Sequence, residues 1–387
     1  ATTAAERAAS TKRVTTIVAA TPTASPSRPH THVFMVRLWH GAPTARENRW
    51  ADMSEIRTSG DAALAARAAH HLGRHHDRFV VARVLRGQVH IAQVGLETGA
   101  QVEIGSVSKA VTGLLFDDSR RRGETSDDTP LGALLPVAGT PVAQVTLGEL
   151  ATHRSGLPRL AKGTASVRTT LDLWRHGTNP YGETLDELLV AARATPVGRK
   201  RPSYSNLGFM LLGHAVAAAA GTTYADLLTQ RIAEPLGLVT TTVPATAAEL
   251  RPAAVMGTSR RGKVMTPWVG EALGPAGGIR STPGDLGRLV QTLLDGSAPG
   301  TGALEPVQRL SGGVRIGAAW LVLEHRGAVV TWHNGGTGGF RSILALNRDA
   351  GAGVALVSAT ARSVDSAGFG LLAECVAGAD GSVAADG

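Results

Sequence analysis

Strand-like segments occur in two groups, one near each end of this 387-residue sequence, and helix-like segments fill the interval between them. The first group reads RFVVARVLRGQVHIAQVG (78–95), which predicts a strand, a turn at Arg86-Gly87 and a second strand. The second group comprises 314–324, 328–334, 340–349 and 353–361, and helices are predicted at 61–76 and 364–377. This order predicts an α+β fold in which one antiparallel sheet is formed from both termini and flanked by helices.

The helix-like segments in the middle of the chain predict a separate all-helical lobe. We expect an α/β lobe formed by about 53–118 and 312–387, with the helical lobe inserted over about 119–311. Residues 1–52 are rich in Ala, Thr, Pro and Arg and show no sustained periodicity, which predicts a low-order N-terminal extension. The folded domain is therefore expected to span 53–387, with ligand clefts favoured at the seam between the lobes.

Composition and charge argue against several classes of protein. No apolar run approaches the roughly 20 residues that span a bilayer, so no membrane span is predicted. No segment resembles a secretory signal, and a cytoplasmic location is expected. The net charge of +8 raises nucleic acid as a partner, but the basic residues are scattered and aromatic residues total only 4%. We therefore expect a solvated basic surface and no nucleic-acid partner.

The cysteine and histidine content gives little support for a metal or cofactor. The single cysteine, Cys375, lies in an apolar, helix-like stretch and excludes an intrachain disulfide, so a buried inert thiol is expected. His70, His71, His75 and His76 could place two imidazoles on one helix face, but no carboxylate partner is spaced to join them. An exposed basic helix end is the better reading, and no metal or cofactor is predicted.

A serine stands three residues before a lysine in IGSVSKAVTG (104–113), at the start of a helix predicted from Ser106 to about Phe116. Lys109 is one of only five lysines in the chain. Residues three apart are neighbours on a helix surface, so the Lys109 amine is expected beside the Ser106 hydroxyl. Burial would lower the pKa of that amine and allow it to accept the serine proton. Ser-x-x-Lys alone is a weak pattern, and it needs partners.

Two further segments offer such partners. In PSYSNLGF, Tyr204 and Asn206 stand two residues apart; a phenol can relay a proton, and an amide can hold a substrate carbonyl. In TWHNGGTGGF, the strand-end motif His333-Asn334-Gly335 is followed by Gly336, and glycines there permit close approach to a strand edge. The main-chain N–H groups of Gly336 and Ser106 are candidates for an oxyanion hole.

In this order the three segments resemble the active-site motifs of the penicillin-recognising serine enzymes, most closely the class C β-lactamase-like family. The resemblance extends over roughly 80–377 and includes VTLGELATHRSGLP and GPAGGIRSTPGDLGRL. It implies a β-lactamase/transpeptidase-like fold, with Ser106 as nucleophile, Lys109 as its base partner, and Tyr204 and Asn206 as the second motif.

The third motif departs from the family pattern. His333-Asn334-Gly335 falls where the family often has Lys-Thr-Gly, and a histidine is mostly neutral at pH 7 whereas a lysine is cationic. A substrate carboxylate would therefore lose one fixed positive charge. We expect neutral short-chain esters or amides to acylate Ser106 faster than β-lactams or D-Ala-D-Ala peptides, unless Arg341 supplies the missing charge.

Three functions remain open on these residues. The leading prediction is a serine acyl-enzyme hydrolase that cleaves a small-molecule ester or amide. A cytoplasmic transacylase, passing the acyl group to an amine or alcohol acceptor, would use the same residues, because only water exclusion and acceptor binding distinguish the two. The third is an inactive binding module on the same scaffold. No Gly-x-Ser-x-Gly occurs in the chain, so the serine elbow of α/β-hydrolases is absent.

Overall fold

The computed structural model describes residues 57–161, 184–325 and 327–383. The predicted N-terminal extension, 1–52, lies outside the described residues. The predicted lobe boundaries stay predictions.

Eleven strands occur in the described part of the chain. Nine of them form one antiparallel sheet with the order β1-β3-β2-β11-β10-β9-β8-β7-β6, and β4 and β5 pair separately. The strands are β1 Thr58–Gly60, β2 Phe79–Leu85, β3 Gln88–Val94, β4 Val102–Glu103, β5 Arg280–Ser281, β6 Gln308–Arg309, β7 Arg315–Ile316, β8 Leu321–His325, β9 Ala328–Gly336, β10 Arg341–Asn347 and β11 Ala352–Ser358. Because β2 pairs with β11, both ends of the domain meet in the sheet, which confirms the predicted fold class.

Helices surround the sheet and fill the middle of the chain. They are α1 Ala62–Leu72, α2 Val107–Arg121, α3 Leu147–Ala151, α4 Leu185–Arg193, α5 Asn206–Ala219, α6 Tyr224–Leu228, α7 Glu234–Leu236, α8 Pro283–Leu294 and α9 Asp365–Val383. Side-chain caps begin most of them: the Thr146 hydroxyl accepts the Glu149 N–H at α3, and the Ser205 hydroxyl accepts the Gly208 N–H at α5.

Two details differ from the sequence-based prediction. The strand predicted over 314–324 is interrupted between β7 and β8, because the Ala318 and Ala319 N–H groups donate to the carbonyls of Ala303 and Ala151 instead of to a neighbouring strand. Helix α8 lies within the segment predicted as the helical lobe, yet it packs on β2, β3 and β11 of the sheet. Gly287 permits this contact, since a Cβ there would lie 2.7 Å from Val89 Cγ1.

The sheet is buried on both faces. Helices α1 and α9 pack on one face, where Gly368 of α9 lies against Ile343 of β10. Helices α2 and α8 pack on the other face, where Val290 of α8 lies against Gly353 of β11. That second face is continuous with the apolar core of the helical region. Little apolar surface is therefore exposed where the sheet meets the helical region.

A buried ion pair anchors the strand that leads to Ser106. The Arg280 guanidinium on β5 donates to Glu103 on β4 at 2.9 Å and to the carbonyls of Gln101 and Val255. The Trp268 N–H donates to the same carboxylate at 3.0 Å. Arg280 is completely buried, and breaking such a pair on one side would leave an uncompensated charge. The segment just before Ser106 is thus tightly positioned.

The remaining sequence predictions have mixed outcomes. Cys375 is buried in α9, as predicted, and burial raises the pKa of its thiol. His76 is not part of an exposed helix end: it is buried and hydrogen-bonded to the Ser358 hydroxyl at 2.8 Å, because it leads directly into β2. His71 pairs instead with Glu374 at 2.7 Å. Within the described ranges, no group of three or more His, Cys, Asp or Glu could hold a metal ion.

No single helix of the described residues is long and apolar enough to cross a membrane. The helices Asn206–Ala219 and Tyr224–Leu236 meet the length and composition criteria only together, as a pair bent by 78°.

Candidate active site

Ser106 stands at the N-cap of α2, immediately after a glycine with positive φ. Gly105 has φ +52°, a conformation that favours glycine, and it turns the chain from β4 into the helix. The Ser106 side chain makes no capping hydrogen bond to its own helix. Its hydroxyl is therefore available to other partners, unlike the cap hydroxyls of α3 and α5.

Lys109 lies one turn further along α2, and its amine contacts that hydroxyl. Lys109 Nζ is 3.1 Å from Ser106 Oγ and donates to the Ala276 carbonyl at 2.5 Å. Ala276 belongs to a π-helical turn, Gly274–Gly278, which packs on α2. The Thr112 hydroxyl holds this turn by donating to the Pro275 carbonyl at 2.7 Å.

Burial determines the charge of Lys109. Its side chain is fully buried, and desolvation, followed by the nearby positive charge of Arg159, lowers the Lys109 pKa well below its usual range. A neutral amine has one lone pair in addition to its N–H donors. With one N–H given to the Ala276 carbonyl, the lone pair can accept the proton of the Ser106 hydroxyl.

Tyr204 reaches the same serine from the start of α5. Its phenol donates to Ser106 Oγ at 2.7 Å, and Lys109 Nζ lies 4.9 Å from its ring centroid. The structure thus brings together Ser106 and Lys109, at the start of α2, and Tyr204, just before α5, although the two segments are far apart in sequence. Asn206, also a candidate, is buried in the first turn of α5, and its backbone N–H donates to the Arg159 carbonyl.

His153 is a part of this site that the sequence reasoning did not single out. It has φ +56°, an uncommon conformation for a residue with a side chain. Its carbonyl accepts the Ser203 N–H at 2.8 Å and its Nδ1 accepts the Ser205 N–H at 3.2 Å. Its ring lies 4.6 Å, centroid to centroid, from the Tyr204 ring. His153 therefore holds the residues on both sides of Tyr204.

The protonation state of His153 follows from these contacts. Burial lowers the His153 pKa well below the usual range, so the ring is neutral. Since Nδ1 accepts a hydrogen bond, Nε2 carries the proton, and that buried N–H has no hydrogen-bond partner among the described residues. An unsatisfied buried donor and a strained backbone both cost stability, and such costs concentrate at functional sites.

The end of β9 lies directly against the turn that presents Ser106. A Cβ added to Gly335 would lie 2.4 Å from the Ile104 carbonyl oxygen and 2.8 Å from the Ser106 nitrogen. A Cβ added to Gly105 would lie 2.7 Å from the Gly336 nitrogen. The Ser342 hydroxyl on β10 also donates to the Ile104 carbonyl at 2.6 Å. The main-chain N–H groups of Ser106 and Gly336, both candidates for an oxyanion hole, are therefore close neighbours.

The histidine and asparagine of the third motif have partners of their own. His333 is buried, and desolvation lowers its pKa to about 3, so it is neutral at pH 7. Its Nδ1 donates to the Asn334 carbonyl at 2.7 Å. The Asn334 side chain donates to the Asp365 carboxylate at 3.1 Å, at the start of α9. The end of β9 thus carries the neutral imidazole of His333 and the side-chain amide of Asn334, which is hydrogen-bonded to a carboxylate.

Arg341, at the start of β10, is partly engaged by its own turn. Its guanidinium donates to the carbonyls of Thr337 and Phe340, each at 2.7 Å, and so closes its own turn. Burial lowers its pKa from the usual value. These two bonds occupy one nitrogen of the guanidinium, and the suggestion that Arg341 could replace the missing lysine stays a prediction.

Comparison with known proteins shows the family of this chain. A sequence model of the family described as Beta-lactamase matches residues 64–377. The chain belongs to the beta-lactamase family. This family comprises serine hydrolases, and the match covers all of α2, the Tyr204 segment and β9.

Individual members of the beta-lactamase family are moderately similar to this chain. The D-alanyl-D-alanine-carboxypeptidase/endopeptidase AmpH of Escherichia coli (strain K12) is 34% identical over 200 residues, which cover 50% of this chain and 49% of that protein. The aligned region therefore spans about half the length of that relative. Penicillin-binding protein 4 of Amycolatopsis lactamdurans is 29% identical over 295 residues, covering 68% of this chain and 74% of that protein.

Solved structures share the fold at lower sequence identity. A class C beta lactamase has a TM-score of 0.69 and 18% identity, covering 81% of this chain and 98% of its own. A D-alanine carboxypeptidase AmpC from Burkholderia cenocepacia has a TM-score of 0.63 and 22% identity, covering 82% and 99%. These likenesses support the fold of this beta-lactamase family member.

Proposed function

We propose that this protein is a serine hydrolase that forms an acyl-enzyme on Ser106 and cleaves a small ester or amide. The observation that carries the proposal is the convergence of two proton-carrying groups on one hydroxyl: Lys109 Nζ at 3.1 Å and Tyr204 Oη at 2.7 Å from Ser106 Oγ. A nucleophile within hydrogen-bonding distance of a neutral buried base is the arrangement that acyl transfer requires.

Acylation uses these groups in a defined order. The Lys109 amine accepts the Ser106 proton as Oγ attacks the substrate carbonyl carbon, and the N–H groups of Ser106 and Gly336 stabilise the oxyanion that forms. The C–O or C–N bond to the leaving group then breaks, and the leaving group receives a proton through Tyr204. Lys109 is restored to the neutral state that burial favours.

Deacylation reverses the same proton path. Water attacks the ester carbonyl of the acyl-enzyme, and its proton moves toward the neutral Lys109–Tyr204 pair. The bond between Ser106 Oγ and the acyl carbon breaks, and Oγ recovers a proton. An amine or alcohol in place of water would make the protein a transacylase; no contact among the described residues favours that acceptor, and transfer stays an alternative prediction.

A fluorophosphonate probe tests the nucleophile, because it leaves a stable covalent adduct on an activated serine. Intact-mass spectrometry is expected to find one adduct on the wild-type chain and none on Ser106→Ala. Lys109→Met should label at least about 100-fold more slowly, since it removes the base. An adduct that persists on Ser106→Ala would overturn the assignment.

Ser108→Ala is the matched control. Ser108 lies two residues further along α2, and its hydroxyl accepts the Ile279 N–H at 3.2 Å. This variant should take up the probe as the wild-type chain does. A product assay with 4-nitrophenyl acetate, with and without an added amine, separates hydrolysis from transfer.

A further inference from the structure

Arg159, a cation beside Tyr204, has no carboxylate partner among the described residues. The Arg159 guanidinium carbon is 5.3 Å from the Tyr204 ring centroid, and Arg159 is exposed. Within the described ranges, no acidic group forms an ion pair with it. Its positive charge also contributes to the lowered pKa of Lys109, so it acts on the same space as the nucleophile.

The backbone of Arg159 is held rigidly although its side chain is exposed. The Arg159 carbonyl accepts the N–H groups of Asn206 and Leu207 at 3.1 and 3.3 Å, at the start of α5. The adjacent Pro158 carbonyl accepts the Ser205 hydroxyl at 2.7 Å. These bonds tie the Arg159 backbone to the segment that carries Tyr204, so the Arg159 side chain starts from a fixed point beside the phenol.

The other basic groups near Ser106 cannot bind an anion in the same way. Lys109 is buried and neutral, His333 is buried and neutral at pH 7, and Arg341 is engaged by carbonyls of its own turn. On the β9 side, Asn334 is already paired with the Asp365 carboxylate, which would repel a second anion. Among the described residues, Arg159 is thus an exposed cation on the Tyr204 side, whereas Arg341 on the β9 side is half-buried and partly engaged by its own turn.

We propose that Arg159 binds a carboxylate of the substrate and favours carboxylate-bearing substrates, a preference opposite to the one for neutral substrates expected from His333. This inference rests on the proposed acyl-enzyme function and names its substrate class. The planar guanidinium lies close to Tyr204 on an exposed residue, and a guanidinium can bind a carboxylate through two parallel hydrogen bonds. The carboxylate can belong to the acyl group or to the leaving group.

Matched ester pairs that differ only in charge test the proposal. For the acyl group, 4-nitrophenyl hydrogen succinate is compared with 4-nitrophenyl butyrate; for the leaving group, 4-acetoxybenzoate is compared with its methyl ester. The quantity measured is the ratio of kcat/KM, charged over neutral, after correction for the uncatalysed rates. In Arg159→Gln the ratio should fall about tenfold or more in one pair, the effect of one lost charge-assisted contact, and Arg159→Lys should retain part of it.

Arg154→Gln is the control for net charge. Arg154 lies five residues earlier, and its guanidinium is directed to the Arg309 carbonyl at 3.5 Å. The ratio should be unchanged in this variant. If Arg159→Gln leaves both ratios at the wild-type value, or if Arg154→Gln lowers them equally, the proposal is wrong although hydrolysis continues. If no ester acylates Ser106 at all, the proposed function itself fails.

Discussion

At the scale of single residues, the site depends on removing charge from groups that would otherwise carry it. Lys109 and His153 are both buried, and burial lowers the pKa of each. The charged form of each side chain would be more favourable in water than in the protein, so burying these groups lowers the stability of the fold. Burial nevertheless favours a Lys109 amine that can accept a proton without first losing one.

The Lys109 pKa predicts the pH dependence of activity. Because only the neutral amine accepts the serine proton, kcat/KM should fall as the pH is lowered through the depressed Lys109 pKa, with the slope of a single proton. Lys109→Arg should be inactive at every pH, since a guanidinium stays protonated. This fall is measured as the dependence of kcat/KM on pH for a neutral ester. If Lys109→Arg showed the same dependence, the assignment of Lys109 as the base would be contradicted.

The same shift predicts a stability effect. Because the Lys109 pKa is lower in the folded chain than in the unfolded chain, unfolding takes up a proton at any pH between the two values. The Lys109 pKa shift therefore destabilises the fold increasingly as the pH falls from about 10.5. Lys109→Met should raise the free energy of unfolding at pH 7, measured with urea, while abolishing turnover. A less stable variant would show that Lys109 is charged in the folded protein.

We predict that His153 acts through Tyr204. Asn tolerates positive φ and offers an acceptor for the Ser205 N–H, so His153→Asn should retain more kcat than His153→Leu, which offers neither. In a Tyr204→Phe background either substitution should cost much less, because the group being positioned is gone. Full additivity of the two losses, at equal melting temperatures, would rule out this positioning role.

At the scale of elements, the site is a contact between a strand end and a helix start. Strand β9 can approach the Ser106 turn only because Gly335 and Gly105 lack side chains, as the short distances to a hypothetical Cβ indicate. The β4–β5 pair, held by Arg280 and Glu103, supports the turn from behind.

Gly335→Ala should separate β9 from the Ser106 turn. Its Cβ would collide with backbone atoms of Ile104 and Ser106, which cannot move independently, and a displacement on the order of 1 Å can cost about 100-fold in kcat/KM. Gly336→Ala is the comparison: its Cβ would meet the far end of the Arg341 side chain, at 2.8 Å, so the loss should be smaller. The assay is kcat/KM for a neutral ester; equal losses would contradict the argument.

At the scale of the whole molecule, buried neutral histidines link folding to pH. His76, where α1 leads into β2, has its pKa lowered to about 4 by burial, and His333 on β9 has its pKa lowered to about 3. The unfolded chain binds protons at both positions below about pH 6.5, so stability should fall as the pH falls from there toward 4.

The size of this pH effect on the free energy of unfolding can be tested with one histidine variant. Each histidine should cost at most about 2 kcal/mol between pH 7 and pH 5. His76→Gln should therefore lose less stability over this interval than the wild-type chain, as measured by urea unfolding at both pH values. The exposed His70→Gln serves as the control and should behave as wild type. Identical pH dependence in all three proteins would mean that His76 is protonated in the fold.

Local pattern was sufficient for much of the fold. Alternation over 78–95 and a turn at Arg86-Gly87 predicted the β2–β3 hairpin, because side-chain period and turn conformation are properties of adjacent residues. The order of elements along the chain, with strands near both ends and helices between them, also predicted a single sheet. The pairing of Ser106 with Lys109 also followed from helix geometry alone, since the two residues are one turn apart.

Tertiary structure determined the charge states and close contacts of the site residues, which the sequence motifs could not predict. Whether Lys109 is charged depends on the 274–278 turn and on Arg159, and the neutral state of His333 depends on burial by distant segments. His153 carried one signal, its place in VTLGELATHRSGLP, but its unusual φ is visible only in three dimensions. Charge, burial and close approach arise from groups far apart in sequence, so the chain determines them only through its fold.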